Sequence, residues 1–341
     1  MSTAARPDRA GALLSLIEAS NRIEHAARTG AAHLDLSHLD LDTVPAGVGL
    51  LDRLRSLDLM HNRLAAVPQS VLELRSLRVL NLGNNRLTST PAGLAELTAL
   101  RELYLHGNEL SEVVARLGRL TKLTILSLSY NQLAAVPDGV GDLIDLVSLR
   151  LQRNRLADVP RQLGQLFNLQ ELRLDDNRLT RVPPELGRLI ELVDLRLSGN
   201  ALRTLPPELG RLPNLRTLHL DRNPLHGVPA ELGDLVDLEE LRLDTRLSER
   251  SCPLDGSRPP HHHLERCLWC HPGRRLGPAA VTGTVPRSGF PRPPSSAGRH
   301  GFTAAVAGRS TARPSGRIGG IPFHELWMMR RSKKGDWFRG S

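Results

Sequence analysis

The first 244 residues contain no cysteine and no tryptophan; Cys252, Cys267, Cys270 and all three tryptophans follow them. A disulfide framework is therefore closed to this body, and a reducing, cytoplasmic setting is the default expectation. The opening stretch, MSTAARPDRAGALLSLIEASNRIEH, lacks the uninterrupted apolar core of a signal peptide. No run approaches the ~20 apolar residues that cross a bilayer, so membrane insertion is not expected. No G-x-x-x-x-G-K-[ST] is present to cradle a nucleotide phosphate. Net charge is +9, but residues 1–244 carry −3 and residues 245–341 carry +12. The basic excess thus belongs to the tail, and nucleic acid is not an expected partner of the body.

What is present is self-similarity at a fixed period. Asn62, Asn85, Asn108, Asn131, Asn154, Asn177, Asn200 and Asn223 are each 23 residues apart. Leucine pairs such as Leu57/Leu59, Leu103/Leu105, Leu149/Leu151 and Leu195/Leu197 precede them. A leucine and commonly a Val-Pro or Leu-Pro step come after, as in LQELRLDDNRLTRVPPELGRLIE. In L-x-L both leucines face inward from a short strand and the residue between faces out. The asparagine falls where the chain leaves the strand, where its amide can join a ladder of backbone hydrogen bonds between turns. The proline halts strand pairing, and P-x-x-L-x-x-L supplies a short helical return. One unit cannot bury its leucines; stacked units share a core.

This pattern resembles the leucine-rich-repeat family, in its 23-residue class found in bacterial proteins and in plant intracellular Ras-group-related proteins. The resemblance covers residues 31–249. It implies an α/β leucine-rich-repeat solenoid of about nine to ten turns, a curved horseshoe with parallel strands on the concave face. Three departures stand out: Leu39 occupies the first Asn position, Thr90 a Val/Leu position, and Val114 a Pro position.

The two ends differ. Residues 1–30 read as an N-terminal helical cap, with Leu13, Leu14, Ile17, Ile23, Ala26 and Ala27 at helical spacing over 9–28 and Gly30 as its stop. Beyond residue 249 the pattern ends without a cap. From residue 245 onward Pro, Gly and Ser make up 34 of 97 residues while Leu, Ile, Val and Phe total 15, a composition that predicts disorder. Residues 250–341 are accordingly read as a disordered basic tail, and the abrupt change also suits a chain read out of frame.

Few motifs suggest chemistry. Cys267-Leu-Trp-Cys270-His271 matches a c-type haem attachment sequence or, with His261, His262 and His263, could hold zinc through two thiolates and two imidazoles. Without a folded frame two cysteines specify little, so no cofactor is expected. Asp175-Asp176 lacks the further oxygen ligands that calcium needs. The basic close MMRRSKKGDWFRG reads as a solvated tail.

The outward strand positions carry more information. One column reads Asp35, Asp58, Asn81, Tyr104, Ser127, Arg150, Arg173, Arg196, His219 and Arg242. The next reads Ser37, Met60, Gly83, His106, Ser129, Gln152, Asp175, Ser198, Asp221 and Asp244. Tyr104, His106 and Tyr130 form a candidate aromatic anchor, with Arg150, Arg173 and Arg196 available for carboxylates and Asp175, His219 and Asp221 alongside. The competing reading has the Arg and Asp columns pairing with each other as surface ion pairs. No nucleophile–base constellation is evident. The expectation is a monomeric, non-catalytic scaffold that binds a protein on its concave face. Its alternatives are a regulatory subunit of a separate GTPase or kinase module, or metal or nucleic-acid binding through the tail.

Overall fold

The structure, a computed structural model, describes residues 9–244. The tail, with Cys267, Cys270 and His271, lies outside the described residues. Helix α1 (Arg9–Thr29) leads into ten three-residue strands: β1 (His33–Asp35), β2 (Ser56–Asp58), β3 (Val79–Asn81), β4 (Glu102–Tyr104), β5 (Ile125–Ser127), β6 (Ser148–Arg150), β7 (Glu171–Arg173), β8 (Asp194–Arg196), β9 (Thr217–His219) and β10 (Glu240–Arg242). They form one parallel sheet in sequence order. Registers are offset by the repeat length, so Leu103 pairs with Leu80 on one side and Leu126 on the other. The middle leucine of every strand is buried.

The returns are short. One is an α-helical turn, α2 (Gln69–Leu72). The others are 3-10 helices such as Pro184–Arg188 and Pro207–Arg211, seven of the eight preceded or opened by proline. Proline's fixed φ suits that entry. Successive returns pack closely: a Cβ on Gly187 would collide with the Glu208 carbonyl, which explains the Gly of L-G-x-L.

Asparagines tie the turns together. Asn131 Oδ1 accepts the Leu110 N–H at 3.0 Å, and its Nδ2 donates to the carbonyls of Leu105 (2.9 Å) and Leu128 (3.0 Å). Asn62 repeats the pattern with Leu41, Leu36 and Leu59, each at 2.9 Å. Each side chain thus reaches 21 and 26 residues back, into the preceding turn. Counting back from residue 39 lands at 18 and 13, inside α1, whose backbone groups are already bonded within the helix. An asparagine there would find neither of its two partners in a preceding turn, and Leu39 instead packs against the core.

The other two departures prove to be one. Val114 stands where most turns place proline, and adopts the same backbone (φ −62°, ψ 132°). Unlike proline it carries an N–H, and the hydroxyl of buried Thr90 accepts it at 2.9 Å. A donor introduced in one turn is met by an acceptor introduced in the turn before.

Helix α1 spans the stretch expected, but only part of its apolar face turns inward. Ala19, Ile23 and Ala26 are buried and Leu16 packs against them, whereas Leu13, Leu14 and Ile17 are exposed. Ala27 is exposed as well. Spacing of three and four residues from Leu16 to Ala26 sets the inner stripe, and the other side chains fall off it. Gly30 ends the helix at φ +61°, with Ala31 N–H donating to Ala26 O at 3.0 Å, the hydrogen bond of a Schellman cap.

Two stability outcomes follow. Asn131→Ala orphans the buried Leu110 N–H and takes one of two side-chain donors from each of the Leu105 and Leu128 carbonyls; it should cost about 3 kcal/mol, read from the urea midpoint. Thr90→Val should cost about 1–2 kcal/mol, and the same change made with Val114→Pro should cost much less. Equal losses in both backgrounds would show that the hydroxyl is not serving Val114.

Candidate functional site

Two columns of side chains stand on the solvent side of each strand, because residues flanking the inward leucine share a face. The sequence reading followed the column directly after the leucine and the one two residues further on. The column before the leucine, which includes Glu102, Glu171, Asp194 and Glu240, decides the electrostatics.

Arg150 donates through Nε and Nη2 to Glu171 Oε2 at 3.2 and 3.0 Å, and Ser148 Oγ reaches the same oxygen at 2.6 Å. Arg173 pairs with Glu171 and lies 3.9 Å from Asp194. Arg196 Nε meets both Asp194 oxygens at 3.0 Å, and Arg242 pairs with Glu240 at 2.7 Å. The competing reading, in which the Arg column pairs with the Asp175/Asp221 column, is corrected, and the arginines expected to be available for carboxylates are already engaged: they bind carboxylates two residues earlier or one strand on. Asp175 instead accepts from Ser198 N–H at 3.1 Å, and Asp221 from Ser198 Oγ at 2.5 Å. Burial raises the Asp175 carboxyl above its usual range, against the pull of Arg196. Burial also works to raise Glu171, but hydrogen bonds from Ser148 and Arg150 with the charges of Arg150 and Arg173 hold it low. Strands β6–β10 thus carry an interlocked, largely self-neutralised lattice.

His219 is a second correction. It was expected to face outward in the open, yet it is 3% exposed, wedged between Arg196 and Arg242 in register. Its Nε2 lies 3.2 Å from Glu240 Oε1 at an angle that makes no hydrogen bond. Burial, then Arg242 and Arg196, depress its pKa, while Glu240 and Asp194 only partly offset them. Ser127, Ser129 and Ser198, also in outward columns, are buried too.

Tyr104 and His106 do come together, ring edge to face with centroids 6.4 Å apart. The Tyr104 hydroxyl donates to Glu102 at 2.8 Å. Burial and the neighbouring Glu102 carboxylate push its pKa upward, so the phenol stays protonated. The His106 ring lies over Gly83, where any Cβ would strike it. Burial, His61 and Arg150 all lower its pKa, so it is held neutral. On the other side, buried Ser127 and Ser129 floor a shallow step up to Arg150 and Gln152. Gln152 Oε1 is shielded from solvent with no hydrogen-bond donor among the described residues.

Tyr130 belongs to neither column. It is 51% exposed at the rim, with Arg153 Cζ 5.1 Å from its ring centroid. Its positive φ of 55° is matched at the residue before every ladder asparagine, namely His61, Asn84, Gly107, Tyr130, Arg153, Asp176, Gly199 and Arg222, and at His38 before Leu39. This rim row is linked along its length. His38 stacks on His61 at 4.3 Å, Asn84 bonds His61 at 3.2 Å, Arg153 meets Asp176 at 3.4 Å, and Arg222 reaches Asp176 at 2.8 Å. Arg222 spans two turns because Gly199 presents no side chain between them.

Comparison with known proteins agrees with the fold. The model described as "Leucine-rich repeat region" matches residues 32–137, and "Leucine rich repeat" matches residues 167–225. No curated protein matches by sequence search. Among solved structures, a leucine-rich-repeat protein of Leptospira interrogans is 31% identical, with TM-score 0.55 over 62% of this chain and 61% of that one. The ectodomain of the Arabidopsis thaliana receptor kinase GASSHO1/SCHENGEN3, solved with CASPARIAN STRIP INTEGRITY FACTOR 2, is 35% identical, with TM-score 0.57 over 62% of this chain and 26% of that one. A chain from the complex of Latrophilin 3, Unc5D and the leucine-rich-repeat domain of FLRT2 is 28% identical, with TM-score 0.55 over 63% and 68%. The chain therefore spans less than two thirds of the first two. No helix among the described residues is long and apolar enough to cross a membrane.

Acidification tests the His219 environment. An unfolded histidine takes up its proton near pH 6.5, whereas the folded site resists it. Stability should therefore be unaffected above that pH and fall as pH drops below it. His219→Gln should lose less stability than the parent between about pH 7.5 and 5.5, measured by urea denaturation; an equal loss would place the acid sensitivity elsewhere. With two family models and solved neighbours agreeing on the fold its period builds, the chain belongs to the leucine-rich-repeat family.

Proposed function

We propose that this protein is a non-catalytic interaction module that seats a protein partner on the outer sheet face around β4–β6. The observation that carries the reading is the half-buried Tyr104/His106 pair beside the serine-floored step, with Gln152 Oε1 lacking a donor. Interface anchors are typically aromatic side chains in partly desolvated ground, bounded by a polar rim. A shielded acceptor without a donor favours a ligand that brings an N–H. The lattice on β6–β10 supplies the rim: its arginines hold their carboxylates and discriminate by charge more than they add affinity.

Two further lines support the reading. The plant receptor ectodomain and the FLRT2 domain were both solved in complexes with partners. Among the described residues, no hydroxyl hydrogen-bonds a histidine ring, so no nucleophile is activated in the way acyl transfer requires. The cysteine-free body favours a reducing compartment, which we take to be the cytoplasm.

Arg150, Arg173 and Arg196 are poor probes of this idea, because reversing them strands Glu171 and Asp194 and disturbs the lattice. Tyr104→Ala and His106→Ala leave it intact. With a partner captured from lysate by the full chain and then purified, each substitution should weaken binding about 30-fold, or ~2 kcal/mol, with the circular dichroism spectrum unchanged. Undiminished affinity in both variants would move the site off this face.

A further inference from the structure

The edge of the solenoid between each helical return and the next strand changes its chemistry along the chain. Over the first four turns it carries Arg53, Arg55, Arg75, Arg78, Arg101 and Lys122, all exposed. The backbone stacks three of them directly. Arg78 N–H donates to Arg55 O and Arg101 N–H to Arg78 O, each at 2.7 Å, and Thr124 N–H closes the row on Arg101 O at 2.7 Å. Arg55, Arg78 and Arg101 are thus rooted one strand spacing, ~4.8 Å, apart. None of the six cationic side chains has an ion-pair or hydrogen-bond partner among the described residues. Asp52 and Glu73 lie within two residues of Arg53 and Arg75 in sequence but pair with none of the six, and Glu102 is taken by the Tyr104 hydroxyl. Counting those three carboxylates, the cations still outnumber the anions two to one.

Like charges set side by side across strands are destabilising, and packing does not require them here. The row of Arg55, Arg78 and Arg101 continues as Thr124, Val147, Gln170 and Val193. Where arginine returns to it at Arg216, Glu239 of the next turn pairs with it at 2.8 Å. Arg150, Arg173 and Arg196 are stacked in the same manner on the sheet face, and each of those has a carboxylate. The edge column alone is left for a partner to neutralise.

The length of the patch selects that partner. At the repeat position of Arg53 and Lys122 the later turns carry exposed Asp145, Glu191 and Asp237, and from Ile144 onward the residues beside them turn apolar. A nucleic-acid duplex or an anionic membrane continuing past the fourth turn would meet those carboxylates. The patch also has no aromatic side chain on which an unpaired base could stack. A short acidic segment fits: four turns span about 14 Å, the reach of about five extended residues, and guanidinium groups match carboxylates in two-pronged geometry.

We propose that the edge from Arg53 to Lys122 is a docking surface for a short acidic segment of a partner protein, whose carboxylates are held by the stacked Arg55, Arg78 and Arg101. The proposal concerns the edge and not the sheet face, and it does not depend on the Tyr104/His106 reading.

A hexaglutamate peptide bearing a photo-crosslinker tests it on the full chain, because mass-spectrometric mapping separates capture at the edge from capture by the basic residues beyond 244. At low salt the peptide should label residues 52–124, and added salt should suppress the labelling. Arg55→Gln combined with Arg78→Gln should cut it about ten-fold. Arg155→Gln combined with Arg178→Gln removes the same charge from two other exposed, unpaired arginines and should leave it unchanged. Arg78→Gln should also keep or raise the urea midpoint at low salt, since a like-charge contact is relieved; a lowered midpoint would make the column structural and overturn the proposal. Labelling confined to residues 245–341, or edge labelling equal in the two double variants, overturns it as well. A DNA duplex or phosphatidylserine vesicle bound more tightly than hexaglutamate, and weakened by the Arg55/Arg78 changes, would assign the edge to that polyanion instead. A doubling of mass in sedimentation that the same changes abolish would assign it to a second copy, and either result sinks the acidic-segment reading.

Discussion

Everything in this molecule hangs on a side chain that can donate and accept at once and is short enough to be buried doing so. The ladder asparagine sits where the strand ends and backbone groups of adjacent turns would otherwise point into the core unpaired. Its carbonyl takes an N–H from the turn before; its amide nitrogen gives to a carbonyl in that turn and another in its own. A buried backbone group left unpaired costs about 1–3 kcal/mol, comparable with the ~2–5 kcal/mol of truncating one buried leucine. The asparagine thus fixes how far apart successive turns sit, and the leucines fill the space that this spacing defines.

The ladder also dictates what happens at the rim. To bring each asparagine inward, the residue before it turns through the left-handed region in all eight turns, and His38 before Leu39 makes a ninth. Only two of the nine are glycine. The remaining side chains therefore stand in one row and meet their neighbours in the turns beside them, as His61 meets His38 and Arg153 meets Asp176. Where glycine interrupts the row at Gly199, an arginine reaches across the gap to Asp176. A backbone requirement for inward asparagines thus generates, as a by-product, an ordered strip of exposed functional groups.

The inner architecture was legible in the sequence because it is imposed by the backbone once per turn. Leucine spacing, asparagine position and strand direction repeat with the same period as the chain. The outer chemistry was not, and the reasons are particular. A three-residue strand has two outward positions, and attending to the arginines at one hid the carboxylates two residues before them, although E-L-R at 171–173 and D-L-R at 194–196 place both on one face. His219 looked exposed because its column is outward, but large neighbours on either side close over it. In α1 the apolar residues are spaced for a helix, yet only those on the Leu16–Ile23 side find the first turn to pack on. Thr90 and Val114 read as two irregularities until the hydrogen bond between them showed one to be the remedy for the other.

The periodic residues therefore say how the chain folds, and the positions that break the period are where specificity is written. Across the sheet face, Asp35 and Asp58 give way to the neutral, aromatic ground around Tyr104 and then to arginines locked onto carboxylates. Along the edge, the change runs from polar to apolar and begins at Ile144, one strand after the serine step at Ser127 and Ser129. The same stretch of turns thus surrenders free charge on its face and gains apolar surface on its edge. Neutralised by Glu171, Asp194 and Glu240, the sheet-face arginines leave shape and the unpaired acceptor of Gln152, more than free charge, to distinguish this stretch of the face.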